Sequence, residues 1–141
     1  MDISIDFMRR IAAAAAAETL PRFRAQGAVT NKLSGGFDPV TEADRGSERA
    51  IRALISAEFP EHGILGEEYG GENISSRHVW VIDPVDGTRA FISGLPTWCT
   101  LVGLTVDGEA VAGMMSQPFT GEFFYANASG ARYEGPGGTR R

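Results

Sequence analysis

Two aspartates, three residues apart, follow directly on an apolar run. Val79 to Ile82 reads as a buried strand that leads into Asp83, and Asp86 comes after the intervening Pro84. A carboxylate beside the core must be paired, hydrogen-bonded or bound to a metal, because an isolated charge there is costly. Two neighbouring carboxylates repel each other, and a divalent cation relieves that repulsion. A plain turn is the alternative for this segment alone, since Asp-Pro and Asp-Gly are common turn dipeptides.

The two residues that follow suit an anion. Gly87 lets the backbone approach a ligand closely, and Thr88 brings a hydroxyl and a backbone N–H to the start of a helical turn. The segment therefore combines candidate metal ligands with a candidate phosphate site.

Acidic residues at two other element ends extend this pattern. Glu67 and Glu68 follow a short apolar strand, and adjacent acids at a strand end point in different directions, so one can bind metal while the other has another role. A solvated acidic loop is the alternative. Asp44 lies three residues after Thr41, the spacing of a capping box, and a capping role can coexist with a catalytic one. Such carboxylates, with no nucleophile motif, favour metal-activated water attacking phosphorus.

Composition restricts the metal and the partner. The 141 residues include one cysteine and two histidines without His-x-x-x-His spacing, so a metal site must use oxygen ligands, which suit Mg²⁺, Mn²⁺ or Ca²⁺ rather than Zn²⁺. A net charge of −5 argues against nucleic acid and against an anionic membrane surface as partners.

The elements expected to position these residues are two helices followed by strands. Helical patterns cover residues 4–26 and run from Thr41 to about Pro60, with residues 31–39 as a loop between them. The predicted strands are 63–66, 79–82, 101–106, 110–115, 122–126 and 131–133, with a hairpin turn at 107–108. The fold class is thus α+β, with two N-terminal helices packed on a largely antiparallel sheet. Residues 1–133 form the domain, and the glycine-rich residues 134–141 are predicted to be a linker or frayed tail.

The alanine run near the N-terminus bears on location. Ala12 to Ala17 superficially suggests a secretory signal, but Asp2 and Asp6 precede it and alanine is only weakly apolar. The run predicts a helix, and we expect a cytoplasmic protein with no membrane partner.

Three motifs in order resemble the inositol monophosphatase superfamily of Mg²⁺-dependent, lithium-sensitive phosphatases. They are DPVTEAD at 38–44, GEE at 66–68 and WVIDPVDGT at 80–88. The resemblance runs from the first helix through Tyr133. It implies the first domain of the layered fold of inositol monophosphatases and fructose bisphosphatases.

The resemblance implies a ligand set for two or three Mg²⁺ ions, with Mn²⁺ as an alternative. Glu67, Asp83 and the backbone carbonyl of Val85 would hold the first ion. Asp83 would bridge to a second ion, also held by Asp86. Glu68 would support a third, weaker metal position or the groups that surround the metal ligands.

It also implies catalytic and phosphate-binding roles. Thr88 and Asp44 would orient and deprotonate the attacking water, with Glu67 nearby. The backbone N–H groups of Gly87 and Thr88, beside Asp86, would bind the substrate phosphate.

A finer resemblance concerns the substrate. Residues 88–98 (TRAFISGLPTW) and 117–122 (QPFTGE) resemble the histidinol-phosphatase branch, and Ala90 stands where inositol-specific members usually carry asparagine. The implied substrate is L-histidinol phosphate of histidine biosynthesis, and inositol 1-phosphate is the alternative.

The chain departs from the family in length. Family chains are nearly twice as long, and their second half supplies a Trp-Asp-x-Ala motif that completes the second metal site; this chain has no such motif. Three interpretations stay open: a truncated form, a short version that borrows the missing half from a partner, or a metal-binding module with little turnover. The surface that the C-terminal domain would cover predicts a homodimer or another association.

Overall fold

Three helices and ten strands make up the part of the chain described by the computed structural model, residues 3–25, 29–32 and 39–140. The helices are α1 (Ile5–Thr19), α2 (Glu42–Glu58) and α3 (Thr88–Ile92). The strands are β1 (Val29–Asn31), β2 (Pro39–Thr41), β3 (Gly63–Gly66), β4 (Gly70–Glu72), β5 (His78–Asp86), β6 (Cys99–Val106), β7 (Glu109–Gln117), β8 (Glu122–Asn127), β9 (Gly130–Gly135) and β10 (Gly138–Arg140).

The first helix is shorter than predicted. The hydroxyl of Ser4 accepts the backbone N–H of Phe7 at 3.2 Å and caps the start of α1. The helix ends at Thr19 and gives way to a single 3₁₀ turn, Leu20–Arg22, because Pro21 has no N–H to continue the helical ladder. The last residue of the predicted helical range, Gln26, lies outside the described residues.

The second helix begins where its capping box predicts. The carboxylate of Asp44 accepts the backbone N–H of Thr41 at 2.9 Å and the Thr41 hydroxyl at 2.6 Å. Helix α2 runs to Glu58, just before Pro60, and buries Ile51 and Ile55 completely.

Eight strands form one sheet in the order β10-β9-β8-β7-β6-β5-β3-β4. Every pairing is antiparallel except β3 with β5. The predicted α+β class with a largely antiparallel sheet is therefore confirmed. Asp107 and Gly108, both at positive φ, form the predicted hairpin turn between β6 and β7.

Four short strands were not predicted. Strands β1 and β2 pair with each other at the borders of the predicted loop, of which residues 33–38 lie outside the described residues. Strand β4 forms a hairpin with β3. Strand β10 pairs with β9.

Residues 134–140 do not form a linker or a frayed end. Strand β9 continues to Gly135, and the chain turns back into β10 with Gly138 at a φ of 102°. The guanidinium of Arg9 on α1 donates to Glu134 from Nε at 3.1 Å, which attaches this hairpin to the first helix. The glycines that suggested a linker instead permit a tight turn between β9 and β10.

The two faces of the sheet differ. Helices α1 and α2 cover one face and enclose the main core, in which Phe7, Ile11, Ile51, Trp80 and Leu104 are almost fully buried. The other face carries an open apolar depression of about 890 Å³. Its lining includes Leu65, Val81, Leu101, Met115, Phe124 and Tyr133, alternating along the strands with core residues.

None of the helices in the described ranges is long and apolar enough to cross a membrane.

Candidate active site

A β-bulge in β5 brings Asp83 and Asp86 to the same side of the chain. The sequence predicts that this strand ends at Asp83. In the structure, β5 continues through Asp86. Asp83 pairs with Leu101 and Asp86 pairs with Cys99, so β5 contains one extra residue between the two pairs. In a regular strand, residues three apart point to opposite faces. The bulge removes that difference, and both aspartates line one pocket.

Pro84 explains why the bulge lies here. Proline has no N–H for the ladder and is tolerated inside sheets mainly at edges and bulges. The carbonyl of Pro84 instead accepts the buried hydroxyl of Thr100 on β6 at 2.8 Å. This hydrogen bond holds the bulge against the neighbouring strand.

Asp83 lies in an unfavourable environment for a negative charge. Burial raises the pKa of its carboxyl from 3.8 to about 7, and repulsion by Glu67, Asp86, Asp44 and Glu68 adds to the effect. A cation placed among these groups would oppose both causes.

Asp44 and Thr88 form the hydrogen-bonded centre of the site. Asp44 is 1% exposed. One oxygen of its carboxylate binds Thr41, and the other accepts the Thr88 hydroxyl at 2.8 Å. The carbonyl of Val85 lies 3.0 Å from the same hydroxyl. A hydroxyl has a single proton, so it donates to one of these two acceptors at a time.

Glu67 and Glu68 line the same pocket but differ in exposure. The side chain of Glu67 is 50% exposed and that of Glu68 only 6%. Burial raises the pKa of Glu68, and Lys32 acts against this shift. The ammonium of Lys32 lies 3.8 Å from Glu67 and 3.7 Å from Glu68, so a positive charge of the chain itself lies beside both carboxylates.

Gly87 occupies a position that another residue would fill with difficulty. It is the N-cap of α3 with a φ of 89°, in the left-handed region. A Cβ there would also lie 2.8 Å from the carbonyl oxygen of Thr97. Below this turn, Val85, Phe91 and Trp98 pack with Phe23 into a second small core. This core places the first turn of α3 beside Asp86.

These residues surround a polar pocket of about 250 Å³. Its lining comprises Lys32, Glu67, Glu68, Asp83, Val85, Asp86, Gly87, Thr88 and Arg89. The structure thus brings together seven of the eight sequence-predicted site residues. The eighth, Asp44, reaches the pocket through its hydrogen bond to Thr88. Asp38, part of the first motif, lies outside the described residues.

The donor types in the pocket fit a hard divalent cation. Carboxylates and one backbone carbonyl are the oxygen ligands that Mg²⁺ takes, and the mutual repulsion at Asp83 is what a cation would relieve. Within residues 3–25, 29–32 and 39–140, no three acidic, histidine or cysteine side chains already converge tightly enough to hold a metal ion. The donors line a common pocket without a finished coordination shell.

Sequence reasoning missed three residues at this pocket. Lys32 and Arg89 line it, although neither belongs to a recognisable pattern beyond its proximity to the motifs. Glu48 contacts the turn after β3. Its signal in the sequence is its position four residues after Asp44, which places both on one face of α2.

The fold and this acid-lined pocket define an α+β protein with carboxylates gathered beside the first turn of α3. A model of the inositol monophosphatase family matches residues 3–139, and the chain belongs to that family.

Relatives within the family carry two different names. A histidinol-phosphatase from Chlorobaculum parvum is 44% identical over 98 residues, which is 69% of this chain and 38% of the relative. The inositol-1-monophosphatase ImpA of Mycolicibacterium smegmatis is 46% identical over 111 residues, covering 78% of this chain and 38% of the relative.

Solved structures share the fold. The extragenic suppressor protein suhB from Bartonella henselae superposes with a TM-score of 0.84 at 28% identity, over 92% of this chain and 51% of that one. The IMPase of Thermotoga maritima gives a TM-score of 0.83 at 30% identity, over 92% and 50%. This chain therefore spans about half the length, or less, of the relatives that it matches.

Proposed function

We propose that this chain forms the metal- and phosphate-binding part of a Mg²⁺-dependent phosphomonoesterase. The observation that carries the proposal is the buried Asp44 carboxylate hydrogen-bonded to the Thr88 hydroxyl, at the edge of a pocket lined by Glu67, Asp83 and Asp86. Glu67, Asp83, Asp86 and the carbonyl of Val85 would hold the metal ions, of which we propose two or three. Bound Mg²⁺ would lower the pKa of a water molecule and neutralise the phosphate.

The residues of the chain have separate tasks in this proposal. The Thr88 hydroxyl orients the attacking water, and its oxygen accepts a proton from that water as its own proton passes to Asp44, whose other oxygen stays fixed by Thr41. The backbone N–H groups of Gly87 and Thr88, beside Asp86, hold the phosphate at the first turn of α3. Glu68, largely buried next to Lys32, supports a third metal position or the outer shell.

L-histidinol phosphate is the proposed substrate, which would place the reaction in histidine biosynthesis. The Ala90 position and the histidinol-phosphatase relatives support it. Inositol 1-phosphate is the alternative, supported by the relatives that bear that name. A cytoplasmic location stays a prediction from the sequence.

A second candidate is a metal-binding module with little turnover. The chain spans half or less of its relatives' length, so groups supplied by the remainder of those relatives are not among the described residues. The open apolar face of the sheet supports a homodimer or another association that covers it.

Phosphate release decides between the two candidates. We expect release from histidinol phosphate that depends on Mg²⁺ and exceeds release from inositol 1-phosphate. Asp83→Asn should abolish it, because the substitution removes the carboxylate shared by the proposed metal positions. Asp107→Asn, in an exposed turn at the far end of the sheet, is the matched control and should change nothing.

Three outcomes would contradict these assignments. Full activity of Asp83→Asn would refute the metal assignment. Tight Mg²⁺ binding without release from either ester would favour the non-catalytic module. Preference for inositol 1-phosphate would overturn the proposed substrate.

A further inference from the structure

A buried carboxylate from α2 holds the turn that carries Glu67 and Glu68. Glu48 is 0% exposed. Its two carboxylate oxygens accept the backbone N–H of Glu68 at 2.8 Å and that of Tyr69 at 2.9 Å. Both donors belong to residues 67–69, the turn between β3 and β4. Glu48 therefore fixes the orientation of the peptide groups on which the acidic side chains are mounted.

Arg52 balances the buried charge and extends the contact. It lies one helical turn after Glu48, and its Nε donates to the Glu48 carboxylate at 3.0 Å. Its guanidinium also donates to the carbonyl of Gly70, the first residue of β4. A buried carboxylate needs such a partner, since unpaired it would be costly. The pair thus holds the turn at its middle and at its far end.

Gly66 shows how closely Glu48 approaches the strand. A Cβ on Gly66 would lie 2.4 to 2.5 Å from three atoms of the Glu48 carboxyl group. Gly66 is not in the left-handed region, so the requirement for glycine here is one of space. The three atoms nearest to that position all belong to Glu48.

One face of α2 contacts the elements on both sides of the pocket. Asp44 and Glu48 are four residues apart on α2 and therefore share a face. Asp44 binds Thr88 directly, whereas Glu48 binds the turn from which Glu67 and Glu68 extend. Within residues 67–69, only Glu67 retains a ladder bond to β5, from its N–H to the carbonyl of Ile82.

We infer that Glu48, with Arg52 as its counter-ion, is a positioning residue for the acidic pocket. It orients the turn 67–69 so that both glutamates face the cation of the proposed function, on which this inference rests. Replacing an outer partner that orients metal ligands typically weakens metal affinity by about 10- to 100-fold.

Glu48→Gln is the central variant, because glutamine keeps the shape but places an NH₂ group against one of the two backbone donors. We expect Mg²⁺ binding to the 141-residue chain, measured by calorimetric titration, to weaken about tenfold or more. The Mg²⁺ concentration for half-maximal phosphate release should rise in parallel, with a smaller change in kcat at saturating Mg²⁺. Glu58→Gln, on the exposed end of the same helix, is the matched control and should leave the affinity unchanged.

Amide hydrogen exchange of the metal-free protein supplies an independent readout. The amides of Glu68 and Tyr69 should exchange faster in Glu48→Gln, whereas those of β5 and β6 should keep their protection. Arg52→Lys is a milder variant that keeps the charge and loses the fork geometry. It should show a smaller effect in both measurements and guards against a Glu48 variant that does not fold.

Unchanged Mg²⁺ affinity and unchanged exchange in folded Glu48→Gln would overturn the inference. Wild-type protein that binds no Mg²⁺ would instead contradict the proposed function. In that case the exchange comparison would still decide whether Glu48 orders the turn.

Discussion

At the residue scale, the charge state of Asp83 depends on its burial and on the carboxylates around it. In the metal-free chain the pKa of its carboxyl is raised from 3.8 to about 7, first by burial and then by the carboxylates around it. Between these two pH values the folded chain binds a proton that the unfolded chain does not. The contribution of Asp83 to the free energy of unfolding therefore decreases as pH rises from about 4 to about 7.

This linkage can be measured with EDTA present. We expect the metal-free chain to melt at a lower temperature at pH 8 than at pH 5.5. Asp83→Asn should flatten this dependence, and Mg²⁺ added at pH 8 should restore the stability of the wild type. A wild-type melting temperature that rises steadily across this range would show that Asp83 is ionised without penalty.

Thr88 offers a second test of a single side chain. Thr88→Ala removes the hydroxyl that binds Asp44, and we expect kcat to fall by about 100-fold or more, the range of a lost proton-transfer group. Thr88→Ser retains the hydroxyl and should keep most of the rate. Equal losses in the two variants would assign the effect to packing of the methyl group rather than to the hydroxyl.

At the scale of elements, the junction of β5 and α3 sets the position of the proposed phosphate site. Gly87 and Gly108 both have positive φ, at 89° and 83°. A Cβ on Gly87 would meet the Thr97 carbonyl at 2.8 Å, whereas one on Gly108 would meet nothing within 4 Å.

Alanine at these two glycines separates backbone strain from crowding. Both variants should lose about 1–2 kcal/mol from the left-handed conformation. Gly87→Ala should lose about 1–3 kcal/mol more from the contact, together with phosphate binding. Denaturant unfolding of the two variants gives the difference. Equal losses would mean that the loop of Thr97 moves away without cost.

At the scale of the whole molecule, the main exposed apolar surface of the described residues is the sheet face that α1 and α2 do not cover. Val81 on this face is 42% exposed, close to the 46% of Val29 on β1, away from the depression. If the face mediates association, Val81→Lys should remove concentration-dependent self-association in analytical ultracentrifugation, while Val29→Lys should not. A wild-type chain that is monomeric at all concentrations would contradict the predicted homodimer.

Predictability differed between local and distant features. The capping box of α2 was predictable because Thr41 and Asp44 interact within one helical turn. The tail beyond residue 133 was misread because glycine permits both a linker and a hairpin, and the choice depends on a free strand edge and on Arg9 from a distant helix. Lys32 was missed because its ion pairs join residues 35 positions apart or more.

The sequence by itself determined the class of fold and indicated the acidic residues that line the pocket. Motif order and the periods of apolar residues are local properties, and they indicated the acidic pocket, the two helices and the antiparallel sheet. The tertiary structure decided how those residues meet. The bulge at Pro84 places Asp83 and Asp86 on one side, and Glu48 enters the site through a turn 20 residues away. Register and long-range hydrogen bonds depend on strands and helices packing together, which no local pattern encodes.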